Sequence, residues 1–365
     1  MSPQRLPAKR PWKQIAVRVH RWLGIGAAAI WLLQASTGVL LSFSFEIEDA
    51  ALSTAHVPTD FGAIEEFMVT IETEQSGTRV NWIWTTAGLP DRFVVNYADA
   101  DGVVRMVRIN GVGQVLRDRR ASDHSFLTLV RALHLSLLGG RAGQLLLAIS
   151  GLLLLSNLIL GLIAAWPRQG RWLGALRPAS RGNTVTILFS WHRAAGLLGA
   201  LPAMLIIITG VLIIFEHELE DVLGVHAVRL PAIVTDEPTV GIKQAANAAT
   251  DAIQGSRFVG TTMPSSEDAS YYAWVRAPGE LYRGGYGGSL VIIDARDASI
   301  RGAYPVTETN ARHAFIASFY PLHTGEAAGL FGRIFALLTG IWLVVMIIVG
   351  ILLWWKRRRG RASIA

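Results

Sequence analysis

The chain has 365 residues, of which 51% are hydrophobic and 17% charged, with a formal net charge of +7. It contains no cysteine, which excludes disulfides, thiolate-held iron–sulfur clusters, covalent haem attachment through Cys-x-x-Cys-His and thiol nucleophiles. The apolar residues gather in four runs near Leu23–Phe45, Gly143–Trp166, Ala194–Phe215 and Gly332–Trp355, each meeting the requirement of about 20 residues for a membrane-spanning helix.

In chain order, residues 1–22 read as a basic N-terminal segment and 23–45 as a first span, too long for a signal-peptide core and therefore retained. Residues 46–122 read as a small α+β module. It has a helix near Asp60–Thr73 and strands near Val80–Thr85, Arg92–Tyr97 and Val103–Ile109, punctuated by Ala-Asp-Ala-Asp-Gly and Asn-Gly turns. Residues 123–166 carry a histidine-bearing segment and a second span, 167–190 a loop, and 191–216 a third span. Residues 217–311 repeat the module, with a helix near Val240–Ile253 and strands near Phe258–Thr262, Tyr271–Val275, Ser289–Asp294 and Ser299–Tyr304. Residues 312–355 repeat the histidine segment and span, and 356–365 form a basic tail.

Charge sets the orientation. Residues 1–22, 166–193 and 356–365 hold 6, 5 and 5 Lys or Arg and no acid, so the positive-inside rule places both termini in the cytoplasm and both modules outside. The remainder carries a net −9.

The chain also repeats itself. Val19–Phe43 returns as Trp191–Phe215, 172 residues on, and residues 133–168 return 189 residues on. The expected fold is therefore an internally duplicated four-helix membrane protein with two small α+β extracytoplasmic modules. The repeats match His20 to His192, His134 to His323 and His124 to His313. By topology His20 and His192 share the cytoplasmic depth, while His134 and His323 share the outer one. A buried histidine in a bilayer reads as functional by default; a half-wet residue at the interface is the competing reading, weakened by the duplication.

His-Arg-Trp-Leu-Gly at His20, the Leu-His segments at Leu133 and Leu322, the helix-ending Ala-Trp-Pro-Arg and Trp-Trp-Lys-Arg, and the strand-turn-strand at Val291–Gly302 resemble the PepSY-associated transmembrane family. That family includes bacterial inner-membrane ferrisiderophore reductases. The resemblance implies a PepSY-like character for both modules, a bacterial inner-membrane location with the modules in the periplasm, and an oxidoreductase that reduces a ferric siderophore. Two haem b groups are expected, with His20 and His192, and His134 and His323, as axial ligands; two imidazoles saturate haem iron and favour electron transfer.

His124 and His313 form a rival outer pair, suited to a metal, an electron relay or a cap on the modules. A hydroxyl residue followed by glycine recurs as Thr37-Gly38, Ser150-Gly151, Thr209-Gly210 and Thr339-Gly340. Counted along continuous helices of about 1.5 Å rise per residue, Gly38 reaches the outer histidines and Gly151 the inner ones. Gly38, Gly151, Gly210 and Gly340 are thus expected to make room for a porphyrin, or to serve close helix packing. Arg131, Arg141, Arg312 and Arg333 flank the outer pair and Arg18, Arg21 and Arg193 the inner one, placed for propionates, although the inner three also serve as topology signals. His56, His217 and His226 have no duplicate and read as surface residues.

Gly24-Ile-Gly26 lacks the strand and third glycine of a dinucleotide fingerprint. The cytoplasmic segments are too short for a flavin or nicotinamide domain, so the electron donor is expected to be reduced flavin, a cytoplasmic reductase or quinol. The lipid bilayer is the other partner, and no nucleic acid is expected. Trp82, Trp84, Tyr271, Tyr272, Trp274 and the loop Gly279–Gly288 with Arg283 offer a docking surface for a chelate, or serve as core and connector. The alternative function is a non-enzymatic, membrane-anchored PepSY binding or regulatory protein, which predicts a colourless preparation.

Overall fold

The computed structural model describes residues 11–52, 54–74, 77–86, 89–225, 228, 230–235, 239–281 and 287–362. The first apolar run is two helices, α1 (Pro11–Gly26) and α2 (Ala28–Leu41), bent by 67° at Ala27. Past α2 a short α3 (Ser44–Ala50) leads to α4 (Phe61–Glu74) and the strands β1 (Arg79–Thr85), β2 (Arg92–Ala98), β3 (Val104–Asn110) and β4 (Val115–Arg120). Helices α5 (Phe126–Ser136), α6 (Gly140–Ala165), α7 (Trp172–Leu176) and α8 (Thr184–Ile214) follow. The second half continues with α9 (Glu216–Leu223), α10 (Ile242–Ala252), β5 (Arg257–Thr262), β6 (Ser270–Arg276), β7 (Ser289–Asp294) and β8 (Ile300–Tyr304). It closes with α11 (Ala311–Ala317), α12 (Phe319–Thr324) and α13 (Gly329–Ala362).

Helices α6, α8 and α13 are each long and apolar enough to cross a membrane, and the bent pair α1–α2 makes a fourth span if it is counted as one. Their boundaries have local causes. Ser125 caps α5 by accepting from the Thr128 amide, and Leu137 and Leu138, both at positive φ, end it before α6 begins. Gly325 at φ 80° likewise ends α12, a left-handed position suited to glycine. Spans α6 and α13 are therefore each preceded by a separate short helix, and it is this short helix that carries His134 or His323, whereas His192 lies within α8 itself.

The two sets of strands do not form two separate sheets. They join edge to edge in one antiparallel sheet of order β4-β3-β2-β1-β5-β6-β7-β8, with Trp82, Ile83 and Trp84 of β1 opposite Thr262, Thr261 and Gly260 of β5. Strand β4, absent from the sequence reading, lies at one edge because its arginines alternate with few apolar residues. Joining β1 to β5 leaves only β4 and β8 as edges, so fewer backbone groups are left unpaired than in two separate sheets. One face packs on α4 and α10: Ile64, Met68, Ile242, Ala245 and Ala249 bury against Ile83, Phe93, Val95, Phe258, Ala273 and Val291. On the other face, reached by alternation, Trp84 and Trp274 pack at 5.1 Å across Gly260. Arg92 on that face is 1% exposed and bonds Asp49 of α3 at 3.0 Å, and Arg108 pairs with Glu48. These pairs hold the sheet to the extension of α2.

Candidate functional site

Four histidines converge in two pairs. His134 on α5 and His323 on α12 lie with ring centroids 6.3 Å apart, at the end of the bundle nearer the sheet. His20 on α1 and His192 on α8 lie with centroids 6.3 Å apart, toward the far end. We call these the sheet-side and distal pairs.

Hydrogen bonds set the tautomers. His20 Nδ1 lies 2.9 Å from the Asn157 carbonyl oxygen and His323 Nδ1 lies 2.8 Å from that of Ile206. A carbonyl only accepts, so in both rings Nδ1 carries the proton and Nε2 keeps its lone pair. His134 Nδ1 lies 3.0 Å from Thr37 Oγ1, whose own proton goes to the Leu33 and Gln34 carbonyls; the hydroxyl oxygen therefore accepts here too. His192 Nδ1 is buried without a hydrogen-bond partner among the described residues.

Glycines make the space beside each ring. A Cβ on Gly38 would lie 3.1 Å from His134 Cε1, and one on Gly210 would lie 2.7 Å from His323 Cε1. At the distal pair the corresponding positions are Gly161, 2.9 Å from His20 Cε1, and Gly350, 3.6 Å from His192 Cε1. Gly151 and Gly340 do not reach the histidines. Their missing side chains face Val211 and Val39 at 2.7 and 2.8 Å, so they serve helix packing. Because α5 ends before α6 begins, a residue count from His134 overstates the depth of Gly151, which lies beside the neighbour of Gly210. Gly161 and Gly350 were missed, although their common offset of 27 residues from His134 and His323 is visible in the sequence.

A cavity of about 860 Å³ opens on the distal pair, lined by both histidines, Gly24, Gly161, Gly350, Trp31, Trp342, Arg21, Arg193, Arg357 and Arg358. Arg193 donates to the Ala165 carbonyl, while the Arg21 Nε is buried and unpartnered among the described residues. Of the sheet-side arginines, Arg141 bonds Glu218 and the Ile214 carbonyl, Arg333 bonds Glu46 and the Ser42 carbonyl, and Arg312 bonds the Leu223 carbonyl. Arg131 packs over Phe45. These arginines tie loop and helix ends together.

His124 is exposed ahead of α5, and His313 is in the first turn of α11, separated from His323 by the break at Ser318. His56 bonds Asp91 at 2.7 Å and His217 bonds Glu220 at 3.1 Å; His226 lies outside the described residues, as do Arg283 and both tyrosines of its loop. Tyr271 is a core residue, its hydroxyl donating to the Val240 carbonyl and its pKa pushed up by burial.

The spacing of each pair suits one metal ion between them. With metal–nitrogen bonds of about 2.0–2.1 Å on each side, the nitrogens stand about 4 Å apart and the ring centres about 1.1 Å further back on each side, in agreement with the 6.3 Å found twice. No group of three or more His, Cys, Asp or Glu in metal-holding geometry occurs among the described residues, so an ion here would bring its remaining donors with it.

The family model described as the PepSY-associated TM region matches residues 17–357, the stretch that holds both pairs and the sheet. The chain belongs to the PepSY-associated transmembrane family. It is accordingly a membrane protein, whose apolar helices meet lipid. A search among curated proteins found no match.

Proposed function

We propose that this member of the PepSY-associated transmembrane family is a di-haem b electron carrier of the bacterial cytoplasmic membrane, reducing a ferric siderophore on the sheet side. The observation that carries this reading is the pair of 6.3 Å histidine spacings at two levels of one helical bundle. Each haem would supply a one-electron iron couple. His20 and His192 would hold one, and His134 and His323 the other.

The chain's own residues prepare these positions. Asn157, Ile206 and Thr37 hold three of the imidazoles with Nε2 unprotonated, and Gly38, Gly161 and Gly210 keep the space beside the rings clear. Arg21, Arg193, Arg357 and Arg358 line the distal cavity and suit the carboxylates of a haem edge. We infer internal duplication from the repeated sequence and from the mirrored strand order about β1 and β5. Basic residues at the ends of α1, α7, α8 and α13 support, by the positive-inside rule, an orientation with the distal pair cytoplasmic and the sheet periplasmic. Reduction releases iron because the hard oxygen ligands of a siderophore suit Fe(III) better than Fe(II).

Liposomes containing the protein, loaded with a reductant and given an external ferric siderophore with a ferrous-iron trap, test the reading. Trapped Fe(II) should form with wild type and not with His134→Ala. Equal rates with both proteins would remove the sheet-side pair from the reaction.

A further inference from the structure

The two histidine pairs lie at well-separated levels of the bundle. Along α8, His192 and Gly210, which marks the level of His323, are 18 residues apart, a rise of about 27 Å. Two tryptophans occupy the interval. Trp31 on α2 is 3% exposed and Trp342 on α13 lies against α8; both are walls of the distal cavity.

Their levels follow from the helices they touch. The Trp342 indole fills the place of a side chain at Gly199, where a Cβ would lie 2.3 Å from the ring. Gly199 is seven residues from His192 and eleven from Gly210, about 11 Å and about 16 Å of helix. Trp31 stands at the complementary level. It is seven residues from Gly38, the glycine beside His134, and its indole N–H donates to Ser150, eleven residues from Gly161 beside His20. Those separations are about 11 Å and about 16 Å. The indoles thus divide the interval into steps of about 11 Å, about 5 Å and about 11 Å of helix rise.

Resting on the di-haem reading, we propose that Trp31 and Trp342 form the electron bridge between the two histidine pairs through the middle of the membrane. One electron leaves the reduced distal group and one arrives at the oxidised sheet-side group, while the indoles mediate the coupling and are not themselves oxidised. Both indole N–H groups donate at 3.1 Å to backbone carbonyls, of Ser150 and Ala195. A carbonyl does not take up the proton that an oxidised indole must shed, so the ring stays neutral and acts as a conducting medium.

The test uses the full-length haem-loaded protein in liposomes, with dithionite as an impermeant reductant outside, followed by Soret absorbance. Wild type should show a fast phase from the haem on the exposed side and a slower phase from the haem reached through the protein. In Trp31→Leu and Trp342→Leu the slower phase should fall by an order of magnitude or more, while Trp31→Phe and Trp342→Phe keep it near wild type. Haem content and midpoint potentials, read by redox titration, should stay at wild-type values in the two phenylalanine variants, and the slow phases of the leucine variants are compared per bound haem. Unchanged slow phases in both leucine variants would overturn the bridge, and haem loss from the phenylalanine variants would assign the indoles to packing and overturn it too. A wild-type protein without haem gives no phases and overturns the reading beneath.

Discussion

Gly210 stands against the imidazole of His323, and a Cβ built there would lie 2.7 Å from Cε1. The same edge of the ring is held through Nδ1 by the Ile206 carbonyl at 2.8 Å, one turn earlier on α8, so a ring that retreats from a new side chain gives up this bond. Overpacking of this kind costs about 1–3 kcal/mol. Gly210→Val should therefore lower haem content by about half at little cost to folding, as should Gly161→Val at the distal pair. Gly340→Ala, which meets only a valine methyl, should retain both haems. Pyridine haemochrome assay per chain checks all three.

The two pairs are separate sites on separate helices, and this makes their losses separable. His323→Ala should remove the sheet-side haem and spare the distal one, and His192→Ala should do the reverse. Redox titration of each variant should show one remaining midpoint potential. Loss of both haems from either variant would contradict the independence of the sites. His124→Ala and His313→Ala should leave haem content at the wild-type level, since neither residue lies in a pair.

Thr37 acts on His134 at one remove. Its hydroxyl oxygen is the acceptor for Nδ1–H, and the loss of such a partner typically costs about 10–100-fold in metal affinity or activity. Thr37→Val should weaken sheet-side haem retention and raise that haem's midpoint potential, because a less basic imidazole stabilises Fe(III) less. Thr37→Ser should restore both. A potential that stays at the wild-type value in Thr37→Val would assign the hydroxyl to helix packing alone.

Much of this arrangement is legible in the sequence, for reasons that differ by element. The spans show because lipid demands long apolar runs, and the histidine pairs show because the repeated sequence marks matched positions. The single sheet is not legible. Pairing of β1 with β5 joins segments about 180 residues apart, and an alternating pattern does not say which strand an edge will meet. The break after His134 was also missed, because it rests on Leu137 and Leu138 adopting positive φ, which leucine seldom does. That miss moved Gly151 to the wrong level and hid Gly161.

The buried Arg92 carries the joint between sheet and bundle. Its guanidinium bonds Asp49 and the carbonyls of Thr54 and Ala55, and removing one partner of such a buried pair costs about 3–5 kcal/mol. Arg92→Ala should lower the unfolding midpoint of the sheet while leaving the haem spectrum of the folded fraction unchanged. Differential scanning calorimetry beside absorbance separates the two effects.

On the proposed reading each histidine pair holds one haem. Oxidised and dithionite-reduced spectra of the detergent-purified protein, with haem quantified per chain, test it most directly. Low-spin b-type bands and two haems per chain are expected, falling to one in His20→Ala and in His323→Ala. A colourless wild-type protein would contradict it, and would return both pairs to the role of buried packing residues beneath a membrane-anchored binding domain.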